Sequence, residues 1–212
     1  MENIKVQMVR TQLNDIPQYD VPKGFVIRKF RKGDEKLWAY IETLAGEFTT
    51  EEMALEKFNK EFGNHITEME QRCIFIENEK REVVGTTTAW YGYLGDDTQM
   101  MGRVHWVGII PAYQGKKLSK PLLSAAMNIL ALYHDKAYLT SQTISYKAIN
   151  MYLEFGFKPV QLDDNYHKAW QLLAQKLNEN RAKISNQNLK FDCLFPPYRA
   201  NLKWNTRAET LI

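Results

Sequence analysis

The chain of 212 residues has the length of one globular domain with short appendages. Its composition, 44% hydrophobic and 25% charged, is typical of a folded soluble protein and excludes extensive disorder, collagen and coiled coils. A net charge of +3 is too small to predict a nucleic-acid-binding surface, and no apolar run approaches the ~18 residues of a membrane span.

The N-terminus lacks the basic and apolar regions of a signal peptide. Cys73 and Cys193 match no metal or redox spacing, which predicts reduced thiols in a cytoplasmic protein. The four histidines form no ligand pattern either, so we expect no metal site.

The first elements in chain order are an arm, a strand and two helices. Residues 1–24 are polar and end at Pro22-Lys23-Gly24, which predicts an arm or an edge element before the domain. The apolar run 25–30 predicts a strand. Apolar residues at helical spacing after Asp34 and after Thr49 predict two helices, the second opened by a capping box of Thr49 and Glu52.

Three further strands, 73–77, 83–93 and 103–110, have short polar connections and predict an antiparallel meander. A long helix, a strand over 137–143, a helix over 145–155 ending at Gly156, and a strand over 157–161 follow. The predicted fold class is α+β, with a mixed sheet that carries a β-α-β-α-β run in its middle.

The last fifty residues are expected to pack on the domain or at an interface. Trp170, Leu173 and Leu177 predict a helix, and a polar run over 178–190 precedes an apolar segment from Phe191 to Pro197. The expected division is therefore 1–24, 25–161 and 162–212.

Two segments could carry chemistry. In the first, Val107 to Ser119, an apolar strand ends at a proline, turns through a loop with Gly115, Lys116 and Lys117, and opens the long helix. Such a turn directs backbone N–H groups and the positive end of a helix dipole toward one point, which suits a phosphate, although plain structural turns of this kind are common.

The second segment runs from Ala148 to Phe157. Ile149, Tyr152, Leu153 and Gly156 share one helical face, so this spacing alone predicts Tyr152 as a core aromatic.

The pair of motifs, Pro-x-Tyr-Gln-Gly-Lys followed by Ala-Ile-x-x-Tyr-x-x-x-Gly-Phe, resembles the GNAT superfamily of acyl-CoA-dependent N-acyltransferases. The resemblance covers residues 25–161 and is most specific over 103–157. Bacterial small-molecule amine acetyltransferases of the mycothiol-synthase-like kind look most similar. The resemblance implies acetyl-CoA as cofactor and direct transfer of its acetyl group to a primary amine.

The resemblance also implies roles for matching positions. Ile109, on the fourth predicted strand, would contact the pantetheine and face the thioester oxygen through its backbone, and Tyr152 would protonate the departing CoA thiolate. The implied cofactor-binding set is Val107, Ile109, Gln114, Gly115, Lys116, Lys117, Leu118, Ser119, Ser145 and Tyr152.

The chain departs from the family pattern at four positions. Lys117 and Ser119 replace small residues that let the loop lie against the diphosphate. Pro121 is harmless only within the first turn of its helix. Ser145 stands where an asparagine often touches the cofactor, and it could cap the helix instead.

Acetyl transfer to an alkylamine, whose pKa is about 10.4, requires that the amine lose a proton. His105 is the candidate base, since some members of the superfamily use a His or Glu on this strand; a histidine satisfied within the sheet is the other interpretation. Alternation would place Arg103, His105, Val107 and Ile109 on one face unless a β-bulge intervenes. Neither cysteine lies near the motifs, which argues against a Cys nucleophile.

The expected acceptor site consists of Glu47, Phe48, Trp90 and Trp106, although half of the strand aromatics should be plain core. Aromatic walls with a carboxylate favour a cationic, partly apolar small-molecule amine. We expect no nucleic-acid or membrane partner, and a homodimer is one option.

Two other function classes stay open. A GNAT-like module could hold CoA or a metabolite without turning it over, which Lys117 and Ser119 favour. A protein-interaction domain could dock a partner through the apolar segment Phe191 to Tyr198.

Overall fold

The computed structural model describes residues 1–184 of the chain. Cys193 and the apolar segment from Phe191 to Tyr198 lie outside the described residues. Among the residues described, no helix combines the length and the apolarity needed to cross a membrane.

Seven strands form one sheet in the order β2-β3-β4-β5-β6-β1-β7. Every neighbouring pair is antiparallel except β5 and β6, which are parallel. The predicted mixed, mostly antiparallel α+β fold is therefore confirmed. The strands are β1 (Lys5–Arg10), β2 (Phe25–Lys29), β3 (Cys73–Asn78), β4 (Val83–Gly92), β5 (Met101–Ile109), β6 (Ala137–Gln142) and β7 (Lys158–Val160).

Six α-helices accompany the sheet within residues 1–184. Two features differ from the sequence prediction: α2 is capped by Thr50, whose hydroxyl accepts the Met53 N–H at 3.3 Å, and the short helix α3 was not predicted. The helices are α1 (Glu35–Ala45), α2 (Glu51–Phe62), α3 (Ile66–Arg72), α4 (Ser119–Ala131), α5 (Tyr146–Glu154) and α6 (Tyr166–Ile184).

The two ends of the described chain differ most from expectation. Residues 1–24 were expected to form an arm or an edge element, but β1 lies inside the sheet and pairs with both β6 and β7. Helix α6 continues to Ile184, well into the run 178–190 that was expected to follow it. Hydrophobic residues of β1 such as Met8 are fully buried, and this burial outweighs the polar composition around them.

The helices cover both faces of the sheet and thereby determine which side chains reach the site. A Cβ on Gly108 would meet Ile41 and Glu42, so this residue of β5 faces α1. A Cβ on Gly102 would meet Leu130 at the end of α4, so Gly102 faces the opposite side. Pro121 occupies the third position of α4, inside the first turn, where its missing N–H breaks no helical hydrogen bond.

Candidate active site

A β-bulge at Trp106 changes the alternation of β5. The register with β4 shifts between Thr86 and Thr88, and Trp106 has φ of 51°, in the left-handed region that most residues avoid. The bulge puts the side chains of His105 and Trp106 on the same face, where both reach Glu61 of α2. Gly108 also faces that side, so Ile109 points to the other face and the expected shared face of His105 and Ile109 is wrong.

Strands β5 and β6 separate after their first residues. They pair only at Gly102 with Ala137 and at Arg103 with Tyr138. Beyond Arg103 the β6 side of strand β5 has no strand partner, and a cleft opens toward the carboxyl ends of both strands. Backbone N–H and C=O groups along this edge are consequently available to a ligand.

A cavity of about 350 Å³ lies at this cleft, between the two strands and the helices α1, α2 and α5. Strand β5 contributes residues 103–107 to its wall, and β6 contributes residues 140–142. Predicted site residues that line it are Glu47, His105, Trp106, Val107, Ser145 and Tyr152.

One wall of the cavity is organised by Glu61. Its Oε1 lies 3.2 Å from His105 Nε2, and its Oε2 accepts a hydrogen bond from Trp106 Nε1 at 2.8 Å. Burial raises the pKa of the Glu61 carboxyl, but the hydrogen bond and charge of His105, the Trp106 bond and the Lys57 charge together lower it to about 2. Lys57 lies 3.5 Å from Glu61 Oε1.

His105 is neutral near pH 7. Burial lowers the pKa of its imidazole to about 4, because the Glu61 carboxylate does not fully offset desolvation and the charges of Arg103 and Lys57. An ionised carboxylate can only accept, so the hydrogen bond to Glu61 requires the proton of the neutral ring on Nε2. Nδ1 then carries the free lone pair.

Two further carboxyl groups, those of Glu42 and Glu47, line the same cavity. Glu42 is fully buried, and neither of its oxygens has a hydrogen-bond partner among residues 1–184, so desolvation and the charge of Glu47 raise its pKa well above the usual range. Partial burial also raises the pKa of Glu47. The pKa of Tyr152 is raised strongly by its own burial and then by the charges of Glu47 and Glu42.

The loop after β5 is exposed and contains two residues in the left-handed region. Gly115 and Lys117 have φ of 79° and 62°, and Gly115, Lys116 and Lys117 are exposed. Helix α4 begins at Ser119 without a side chain capping its first N–H groups. The Gln114 amide donates to the Ile109 carbonyl at 3.1 Å and so ties the loop to the end of β5.

Some predicted site residues lie outside the cavity wall. Trp90 packs edge-on against Phe62 with ring centroids 4.8 Å apart, as a core residue would. Phe48 lies behind the wall, 5.3 Å from Trp106 between ring centroids. The loop residues Gln114 to Ser119 and Ile109 do not line this cavity. Ser145 does line it, but its hydroxyl makes no capping bond to α5.

Sequence reasoning missed four charged residues of the cavity, which are Glu42, Lys57, Glu61 and Arg103. For Arg103 it predicted only that the side chain shares a strand face with His105. Glu61 and Lys57 are one turn apart on α2, which is a common surface pattern and gave no functional signal. Glu42 could have been noticed, because a carboxylate that follows Ile41 in a helix near the apolar stripe is unusual in a core.

Comparison with known proteins agrees with this geometry. A model of the Acetyltransferase (GNAT) family matches residues 34–157, more than half of the chain. No curated protein sequence matches.

Solved structures resemble the fold at low sequence identity. A GCN5-related N-acetyltransferase from Sphaerobacter thermophilus is 17% identical with a TM-score of 0.58, over 74% of this chain and 48% of that one. A GNAT-family acetyltransferase from Colwellia psychrerythraea is 9% identical with a TM-score of 0.55, over 75% and 54%. This chain thus spans about half the length of either. A Pyrococcus horikoshii protein is 18% identical with a TM-score of 0.55, over 66% and 92%.

Proposed function

Because the chain belongs to the GNAT acetyltransferase family, we propose that it transfers an acetyl group from acetyl-CoA directly to the primary amine of a small molecule. The observation that carries this proposal is the cleft between β5 and β6, with His105 and Tyr152 in the wall of its cavity and an uncapped helix following β5. The proposal includes that the enzyme is of the bacterial small-molecule acetyltransferase type.

The residues present fit acetyl-CoA. The uncapped first turn of α4, with Lys116 and Lys117 just before it, offers N–H donors and positive charge to a diphosphate. The unpaired edge of β5 offers backbone hydrogen bonds to the amides of a pantetheine arm. When bound, acetyl-CoA supplies an activated thioester, and N–H groups on this edge can stabilise negative charge on its acyl oxygen.

His105 is suited to accept a proton from the amine. Its imidazole is neutral near pH 7 and Glu61 holds the proton on Nε2, so Nδ1 is free to receive another. An imidazole with a pKa of about 4 is a weak base toward a free ammonium group. It becomes effective as the carbon–nitrogen bond forms, because the attacking nitrogen then becomes acidic, and Glu61 stabilises the resulting imidazolium.

Tyr152 is suited to donate a hydrogen bond to the leaving sulfur. Its raised pKa keeps the hydroxyl protonated across the working pH range. Complete proton transfer would leave a buried phenolate, which desolvation disfavours first and the charge of Glu47 disfavours further. We therefore assign Tyr152 the stabilisation of the departing thiolate by a hydrogen bond. The thiolate then takes a proton from solvent, and the His105 imidazolium returns the amine's proton to solvent.

The first experiment is a calorimetric titration of the protein with acetyl-CoA and with free CoA. Micromolar binding supports the proposal and justifies a screen of amines by thiol release. Absence of binding up to millimolar ligand would contradict it. Binding of acetyl-CoA without turnover of any amine would favour the non-catalytic binding module.

The Tyr152→Phe variant tests the catalytic assignment. We expect kcat to fall at least tenfold while the dissociation constant for acetyl-CoA changes less than twofold, because only the hydroxyl is removed from a buried ring. Tyr146→Phe on the same helix is the control, since Tyr146 does not line the cavity. Wild-type turnover in Tyr152→Phe would refute the role.

A further inference from the structure

Arg103 is a partly buried guanidinium without a polar partner. It lies in β5, lines the cavity, and faces the same side as His105. Among residues 1–184 no carboxylate or carbonyl accepts a hydrogen bond from it, and its enclosed Nε is unsatisfied. It contacts the ring of Tyr138, with 5.7 Å from the guanidinium carbon to the ring centroid.

Other buried or partly buried arginines of the described chain are satisfied. Arg28 is paired with Asp34 and Glu77, Arg10 donates to main-chain carbonyls, and Arg72 donates to the Ala89 carbonyl at 3.2 Å. An unsatisfied buried donor costs about 1–3 kcal/mol, so the exception at the cavity wall indicates a partner from outside residues 1–184.

The neighbouring charges do not supply that partner. Glu61 is the carboxylate on this wall, and its two oxygens already accept from His105 and Trp106. Lys57 adds a second positive charge next to Glu61. Lys57 and Arg103 both act on the His105 imidazole as positive charges, and among residues 1–184 neither Glu42 nor Glu47 forms an ion pair with Arg103.

We propose that Arg103 binds a carboxylate of the acceptor, which makes the acceptor an amino acid or a related zwitterionic amine. This inference rests on the proposed acetyltransferase function and specifies its substrate class. A guanidinium presents paired N–H donors that match the two oxygens of a carboxylate.

The spacing along β5 agrees with a short acceptor. Arg103 and His105 are two residues apart on one face, about 7 Å along a strand. An amine beside His105 and a carboxylate at Arg103 would then be separated by a few bonds, as in α-, β- or γ-amino acids.

The test compares amino acids with their own amides. L-phenylalanine, β-alanine and γ-aminobutyrate are each assayed against the matching carboxamide at saturating acetyl-CoA, with thiol release as the signal. We expect kcat/KM of the acid to exceed that of the amide at least tenfold in one or more pairs. The amide has the less basic amine, which is more often neutral, so this preference would run against intrinsic reactivity.

The variants separate a carboxylate site from a structural role. Arg103→Gln should reduce the acid-to-amide ratio below threefold, because the loss of kcat/KM is larger for the acid than for the amide, and Arg103→Lys should restore part of the ratio. The exposed Arg31→Gln is the matched control and should leave the ratio unchanged. An equal loss with acid and amide in Arg103→Gln would refute the inference.

Failure of the inference is distinguishable from failure of the proposed function. Two outcomes with bound acetyl-CoA would show that Arg103 is not a carboxylate site. In the first, acids and amides react equally. In the second, none of the six compounds reacts, and no acid raises the melting temperature of the wild type by more than it raises that of Arg103→Gln. If acetyl-CoA does not bind at all, the proposed function itself is wrong.

Discussion

The buried neutral His105 makes the stability of the protein depend on pH in a predictable direction. An imidazole with a folded-state pKa of about 4 and an ordinary value of 6.5 binds its proton more readily in the unfolded chain. The stability it contributes is complete above pH 6.5 and is lost as the pH falls toward 4. Between pH 7.5 and pH 5 the loss is about 2 kcal/mol, and below pH 4 it reaches about 3 kcal/mol.

The assay is urea unfolding at pH 7.5, 6 and 5, with the variant His105→Gln as reference. The glutamine amide can still donate to Glu61 but does not titrate, so the difference between the two proteins isolates the histidine. We expect wild type to lose about 2 kcal/mol more than His105→Gln between pH 7.5 and pH 5. Parallel pH profiles would show that His105 is not desolvated and would remove the basis for treating it as a neutral base.

Three other predictions concern the cavity and the loop. Glu42→Gln should gain stability relative to wild type as the pH rises from 6 to 8, by up to about 1.4 kcal/mol per pH unit in urea unfolding, because the buried wild-type carboxyl keeps a proton that the unfolded chain releases. A constant difference across this range would contradict that. Lys117→Gly should unfold at higher urea than Lys117→Ala, by about 1 kcal/mol, since only glycine adopts φ of 62° without strain; equal midpoints would show that the loop relaxes. Glu61→Gln should lose about 2 kcal/mol of unfolding free energy because one amide cannot accept from both His105 and Trp106, whereas the exposed Glu56→Gln on the same helix should lose less than about 0.5 kcal/mol. A small effect of Glu61→Gln would mean that water replaces the carboxylate.

The sequence predicts this fold well where its patterns are local. The meander β3-β4-β5 and the helix that ends at Gly156 follow from alternation, apolar spacing and a glycine with φ of 80°. The interior position of β1 could not be predicted, because its partners are residues 137–142 and 158–160, far away in sequence.

The candidate site is predictable only in part, for a physical reason. His105, Trp106 and Tyr152 stand in recognisable motifs or on a recognisable strand, and all three line the cavity. The bulge at Trp106 inserts one residue into the alternation of side chains along β5, and no local sequence pattern predicts it. Glu61 reaches the site only because α2 packs beside β5, and Arg103 reaches it only because β5 and β6 separate after this residue. Both conditions depend on tertiary structure.

The position of β1 has a consequence for how the chain folds. Val6 pairs with Ser141, and Val9 pairs with Lys158, so the half of the sheet that contains β6 and β7 is joined through contacts that span most of the described chain. Such contacts require large loops to close before they yield any stabilisation, and this slows folding. During synthesis, the first strand therefore stays unpaired until about 130 further residues, up to Gln142 of β6, have left the ribosome.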